Sequence, residues 1–193
     1  MHGPALSGWL LMVLCSVAGG YCLLRTRSGT AGERGTARAE AVMAFGMAAM
    51  ALPAAVLTPP RWAWTVYAVV FGAAALRALT GARSGGHHVH HLVGSLAMVY
   101  MAVAMAPGLA GAAHEGHTAH AAAGGVPLLT GVLLAYYALY VLRSAGGLIP
   151  VTAAPAGAPV AVGTRIAWGA RPELALACRL TMGIAMFAML LTL

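Results

Sequence analysis

The chain has 193 residues, 61% of them apolar and only 8% charged, with a formal net charge of +7. A soluble domain carries about 25% charged residues, so this composition cannot meet water without large apolar patches. Asp, Asn, Gln and Lys are missing altogether, which excludes a Ser-His-Asp triad, a P-loop or Schiff-base lysine and any Asn-linked glycosylation acceptor. A two-carboxylate glycosidase would have to draw on Glu33, Glu40, Glu115 and Glu173.

A membrane helix needs ~20 mostly apolar residues, and six stretches meet that demand in chain order: 6–24, 39–57, 62–79, 92–109, 126–142 and 174–193. They predict an all-α, polytopic membrane helix bundle forming a single integral-membrane domain over residues 1–193. The first stretch has no Arg before it, whereas Arg25 and Arg27 follow it. That arrangement reads as a retained helix with its N-terminus outside, not as a cleaved signal. Arg25, Arg27, Arg34, Arg38, Arg77, Arg83, Arg143, Arg165, Arg171 and Arg179 then fall on the inner side, and Arg61 alone outside. This bias predicts an inner-membrane protein with both termini outside. The positive charge concerns topology and anionic lipid, and there is no soluble basic domain for nucleic acid.

Residues 25–38 read as a Gly/Arg-rich inner loop, and residues 143–171 as a longer inner loop rich in Pro, Ala and Gly. Trp9, Trp62 and Trp64 fit an outer aromatic belt. Pro53 and Pro107 are expected to kink the outer ends of the second and fourth helices.

Candidate chemistry is confined to few groups. The second helix carries Glu40, Met43, Met47 and Met50, and the sixth carries Arg179, Met182, Met186 and Met189 at the same spacing. The fourth carries Met98, Met101 and Met105 after His87, His88, His90 and His91. Steps of three and four place each set on one helical face. Thioether sulfur is a soft ligand that favours Cu(I), so three such faces predict a copper-type binding site or path. The plainer reading is that methionine fills gaps between close-packed helices.

His87 and His91 lie one helical turn apart, a spacing used by helical metal sites. His114, His117 and His120 form a His-x-x-His-x-x-His tract around Glu115 in an outer loop, a composition that binds Cu(II), Ni(II) or Zn(II). A helix of ~18 residues rises roughly 27 Å, so the two clusters belong to opposite membrane faces and cannot share one ion. Their plainer readings are a titrating interface and a polar connector. Cys15, Cys22 and Cys178 contain no Cys-x-x-Cys pair and read as small buried apolar side chains. Within the spans, Glu40 or Glu173 is the expected ion-pair partner of Arg179, and Arg77 lies near enough to its helix end to snorkel.

Three segments carry a family resemblance: AEAVMAFGMAAM (39–50), GHHVHHLVGSLAMVYM (86–101) and PELALACRLTMGIAMFAM (172–189). From about Gly8 to Leu193 the chain resembles small actinobacterial membrane proteins grouped as domain-of-unknown-function family 5134. The resemblance implies a multi-helix inner-membrane protein and brings no catalytic residue.

Three functions compete. The first is binding or transport of a metal, copper above all. The second is a non-enzymatic membrane subunit that packs with a partner or with a second copy, its Met and Ala serving contact. The third is a haem or quinone redox subunit, which needs facing axial ligands, whereas only the fourth helix offers well-placed His. An enzyme comes last, because Ser95 one turn after His91 is a lone coincidence.

Overall fold

A computed structural model describes residues 3–27, 30–52, 56, 59–81, 86–106, 126–146 and 172–193. Among them are six helices and no strand: α1 (Gly3–Arg25), α2 (Ala31–Met50), α3 (Arg61–Gly81), α4 (Gly86–Met105), α5 (Pro127–Gly146) and α6 (Pro172–Leu191). Four contain a segment long and apolar enough to cross a membrane: Leu6–Arg25, Arg61–Thr80, Pro127–Gly146 and Glu173–Leu191. The apolar part of α4, Val89–Met105, is shorter, and α2 carries Glu33, Arg34, Arg38 and Glu40 in its first half.

Helix α2 differs most from expectation. Residues 39–57 are predicted to span and residues 25–38 to form a loop, yet the helix begins at Ala31. The reason is a capping box. The Thr30 hydroxyl accepts from the Glu33 backbone N–H at 3.4 Å, and the Thr30 N–H donates to Glu33 Oε2 at 2.7 Å. Two otherwise orphaned donors are thereby satisfied. At the other end α2 stops at Met50 with Ala51 as its cap. Pro53 follows in sequence and cannot continue the ladder, so the helix ends before the site of the expected kink. Pro53 and Pro107 themselves lie outside the described residues.

The chain divides into two compact units, each considered by itself. The first contains α1, α2, the second half of α5 and most of α6; the second contains α3, α4, the first half of α5 and the last six residues. In the first, α1 packs along α2 across the short 26–30 connection, which makes the two an antiparallel pair. Contact is close at Gly19, where an added Cβ would lie 3.0 Å from the Phe45 ring. Gly183 of α6 meets α5 similarly, with Tyr140 at 3.1 Å and Val141 at 3.2 Å. In the second unit α3 packs along α4. Tyr100 of α4 joins the start of α5, its hydroxyl 2.7 Å from Thr130 Oγ1 and donating to the Val126 carbonyl at 3.3 Å.

Burial is inverted relative to a water-soluble protein. Leu10 is 71% and Leu128 80% exposed, with many other Leu and Val side chains, while the buried positions are mostly Ala, Met and Cys. Large aliphatic side chains facing outward suit lipid, and small residues inside let helices approach closely. Trp9 and Trp62 are exposed, Trp64 half-buried, and Arg77 exposed four residues before the end of α3.

Two outcomes follow. Gly19→Ala should lower thermal stability in detergent by about 1 kcal/mol through overpacking against Phe45, while Gly20→Ala, with open space around its Cβ, should not. The backbone and hydroxyl hydrogen bonds from Thr30 hold the Glu33 carboxyl below its ordinary value. A depressed carboxylate stabilises above its unfolded pKa and loses that contribution as pH falls through its folded pKa. Amide protection in the first turn of α2, corrected for intrinsic exchange, should therefore fall below the usual carboxylate range in the wild type and not in Glu33→Gln.

Candidate functional site

The buried face of α2 is a single stripe of Ala37, Glu40, Ala41, Met43, Ala44, Met47 and Ala48. Helical periodicity turns these positions to one side, and so a carboxylate is carried inside with them. Glu40 is 1% exposed. Its Oε2 accepts from Arg25 Nη1 at 2.7 Å and its Oε1 from Arg179 Nε at 2.8 Å. One side chain of α2 thus bonds the last residue of α1 and the eighth residue of α6. Burial of a lone carboxylate is prohibitive, whereas two charge-assisted bonds satisfy both oxygens. Arg25 also sits where the α1 dipole favours a cation.

Two thiols complete the group. Cys22 lies one turn before Arg25, and its Sγ is 3.7 Å from Glu40 Oε2. Cys178 immediately precedes Arg179 and is in side-chain hydrogen-bond contact with Cys22. Cys15 and Cys22 are buried as expected, but Cys178 is half-buried. That corrects the reading of all three as buried apolar fillers: pairing Arg179 with Glu40 draws Cys178 to the edge of the polar group.

Of the expected donors, Met43, Met47, Met98, Met101, Met182, Met186 and Met189 are buried, while Met50 and Met105 are half-buried. Met43, Met47, Met50, Met182 and Met186 belong to the first unit; Met98, Met101, Met105 and Met189 belong to the second. His87, His88, His90 and His91 lie in the first turns of α4. His90 and His91 are half-buried, with ring centroids 6.2 Å apart and tilted by 56°. His114, His117 and His120 lie outside the described residues. Among the described residues no group of three or more His, Cys, Asp or Glu side chains is placed to hold a metal ion. Ser95 is buried on α4.

The sequence pointed to Glu40 as one of two partners for Arg179, and the structure pairs them; Glu173 is exposed. Arg25 and the thiol contact were missed. The signal was the i, i+3 relation of Cys22 to Arg25 and the adjacency of Cys178 to Arg179, which carry both thiols wherever the two guanidinium groups converge.

Removal of the shared partner should be far worse than removal of one arm. Glu40→Gln leaves two guanidinium groups without their carboxylate and should lose about 3–5 kcal/mol of stability. Arg179→Gln keeps the Arg25 bond, and because Arg179 is partly exposed it should lose about 1 kcal/mol. Thermal unfolding of the detergent-solubilised chain compares the two, and equal losses would contradict a shared carboxylate.

No curated protein and no solved structure matches the chain. The sequence profile of the family described as Domain of unknown function (DUF5134) matches residues 32–193, which takes in α2 through α6 and both partners on those helices, Glu40 and Arg179. The chain belongs to this family.

Proposed function

We propose that the protein is a multi-pass, non-enzymatic component of the inner membrane that binds or moves a soft monovalent metal ion of the copper class. All six helices cross the bilayer in this reading, with both termini outside. The paired state of Glu40 supports α2 as a spanning helix, because ion pairing removes most of the penalty that its low hydropathy implies. Arginine at the inner ends supports the orientation.

The observation that carries the metal reading is the placement of sulfur. Of the nine largest fully buried side chains, six are Met47, Met98, Met101, Met186, Cys15 and Cys22. None of the ten internal methionines is exposed, although the outward faces are rich in Leu and Val. If apolar volume alone were needed inside, leucine would serve with better-defined rotamers. Thioether and thiol sulfur add affinity for Cu(I), which is met by few donors and needs no carboxylate cage. His90 and His91 at the start of α4, the helix that carries Met98 and Met101, offer borderline donors.

Titration of the purified full chain with Cu(I) against a competing chelator tests the reading. The wild type should bind at least one equivalent. A Met98→Leu, Met101→Leu, His91→Ala variant should bind at least tenfold more weakly at one site, a difference of about 1.4 kcal/mol. Wild-type binding no tighter than that of the variant would overturn the proposed role of these residues.

A further inference from the structure

The polar group of the first unit has an unbalanced charge. Glu40 contributes one negative charge, and Arg25 and Arg179 contribute two positive ones, all within 2.8 Å of the carboxylate oxygens. With both thiols neutral the group keeps a charge of +1 around a fully buried side chain. Arg25 and Arg179 are only 15% and 25% exposed, so this excess positive charge beside a buried carboxylate favours an added negative charge. The thiols of Cys22 and Cys178 are groups at this cluster able to supply it. One is 3.7 Å from the carboxylate, and the other is in contact with the first and adjacent in sequence to Arg179.

We propose that Cys22 and Cys178 form a two-coordinate Cu(I) site, held as a dithiolate between α1 and α6 and neutralised by the Arg25–Glu40–Arg179 group. The proposal rests on the soft-metal reading above and assigns it a first binding site. The step balances without a redox partner. One Cu(I) ion joins two thiols, two S–H bonds break, two Cu–S bonds form, and two protons leave to water. The copper dithiolate carries a charge of −1, which brings the whole group from +1 to zero. A divalent ion would restore the +1 excess, and the one carboxylate nearby, Glu40, is already committed to Arg25 and Arg179. Thiolate pairs are the softest donors available and select monovalent copper over harder ions. Two donors suffice for Cu(I), which readily takes linear coordination. Cys178 is half-buried, so an ion can arrive on its side of the pair, whereas Cys22 is closed off.

The test uses the full chain in detergent under anaerobic conditions, with thiols first confirmed as reduced by maleimide counting. Cu(I) is added as its acetonitrile complex against a chelator, and near-ultraviolet sulfur-to-copper charge transfer is followed. The wild type should show the band and one tight equivalent. Cys178→Ser should lose that equivalent and the band, with affinity at the site lowered at least tenfold. Cys22→Ser should do the same, and Cys15→Ser should match the wild type. Cys178 is the safer position, because its half-buried side chain can change without disturbing the buried core; an unchanged melting temperature confirms that the variant is folded. Retention of the equivalent and the band in folded Cys178→Ser would overturn this site and leave the wider metal reading standing. Absence of any Cu(I) binding by the wild type would overturn both. Retention of the thiol-dependent equivalent in the Met98→Leu, Met101→Leu, His91→Ala variant supports two separate sets of donors.

Discussion

Glu40 is the point on which the first unit depends. It is the one buried acid among the described residues, and its two oxygens are each committed to a guanidinium from a different helix. Helix–helix association in lipid lacks a hydrophobic driving force between helices and relies on close packing and polar links. Small residues provide the first, as at Gly19 against Phe45 and Gly183 against Tyr140. Glu40 provides the second. Its carboxylate fixes which faces of α1, α2 and α6 meet, because any rotation of α2 that turned Glu40 outward would strand one charge on α2 and two on its neighbours. The same constraint sets the place of Cys22 and Cys178, which ride beside Arg25 and Arg179.

The second organising feature is the exchange of roles between leucine and methionine. Leucine and valine cover much of the outside, and among the larger buried apolar side chains methionine is the commonest, beside Leu133, Leu190, Phe71 and Tyr137. Both are apolar, so hydropathy is indifferent to the exchange. Polarizability and softness are what distinguish them. A thioether packs as well as a leucine in an irregular gap and adds a weak, soft donor. Each unit, taken by itself, buries methionine sulfur among the described residues, and the first unit adds a thiol pair at an excess positive charge. A His-rich start to α4 then stands apart as harder donors nearer the helix end.

Much of this was legible in the sequence, for definite reasons. The six helices among the described residues each overlap an apolar run read from the sequence, because Pro and Gly clusters interrupt the runs. The inward turn of Met43 and Met47 followed from their spacing with Glu40. The start of α2 was also written in the sequence, as Thr30-x-x-Glu33, but its Gly and Arg content resembled a loop; a local capping signal outweighed composition. Helix–helix register was not legible. Hydropathy gives each helix a face but not its neighbour, so Arg25 could not be assigned to Glu40, nor Cys22 to Cys178, before the helices were packed. The His114, His117 and His120 tract lies outside the described residues, and its chemistry stays at the level of composition.

The central claim is that the first metal ion taken up is held by interior sulfur, at the pair formed by Cys22 and Cys178. X-ray absorption at the copper edge of the full chain loaded with one equivalent of Cu(I) tests it most directly. The account predicts a first shell of sulfur alone, with low coordination number. A first shell containing nitrogen or oxygen would contradict it, since those donors belong to the histidine clusters and to Glu40.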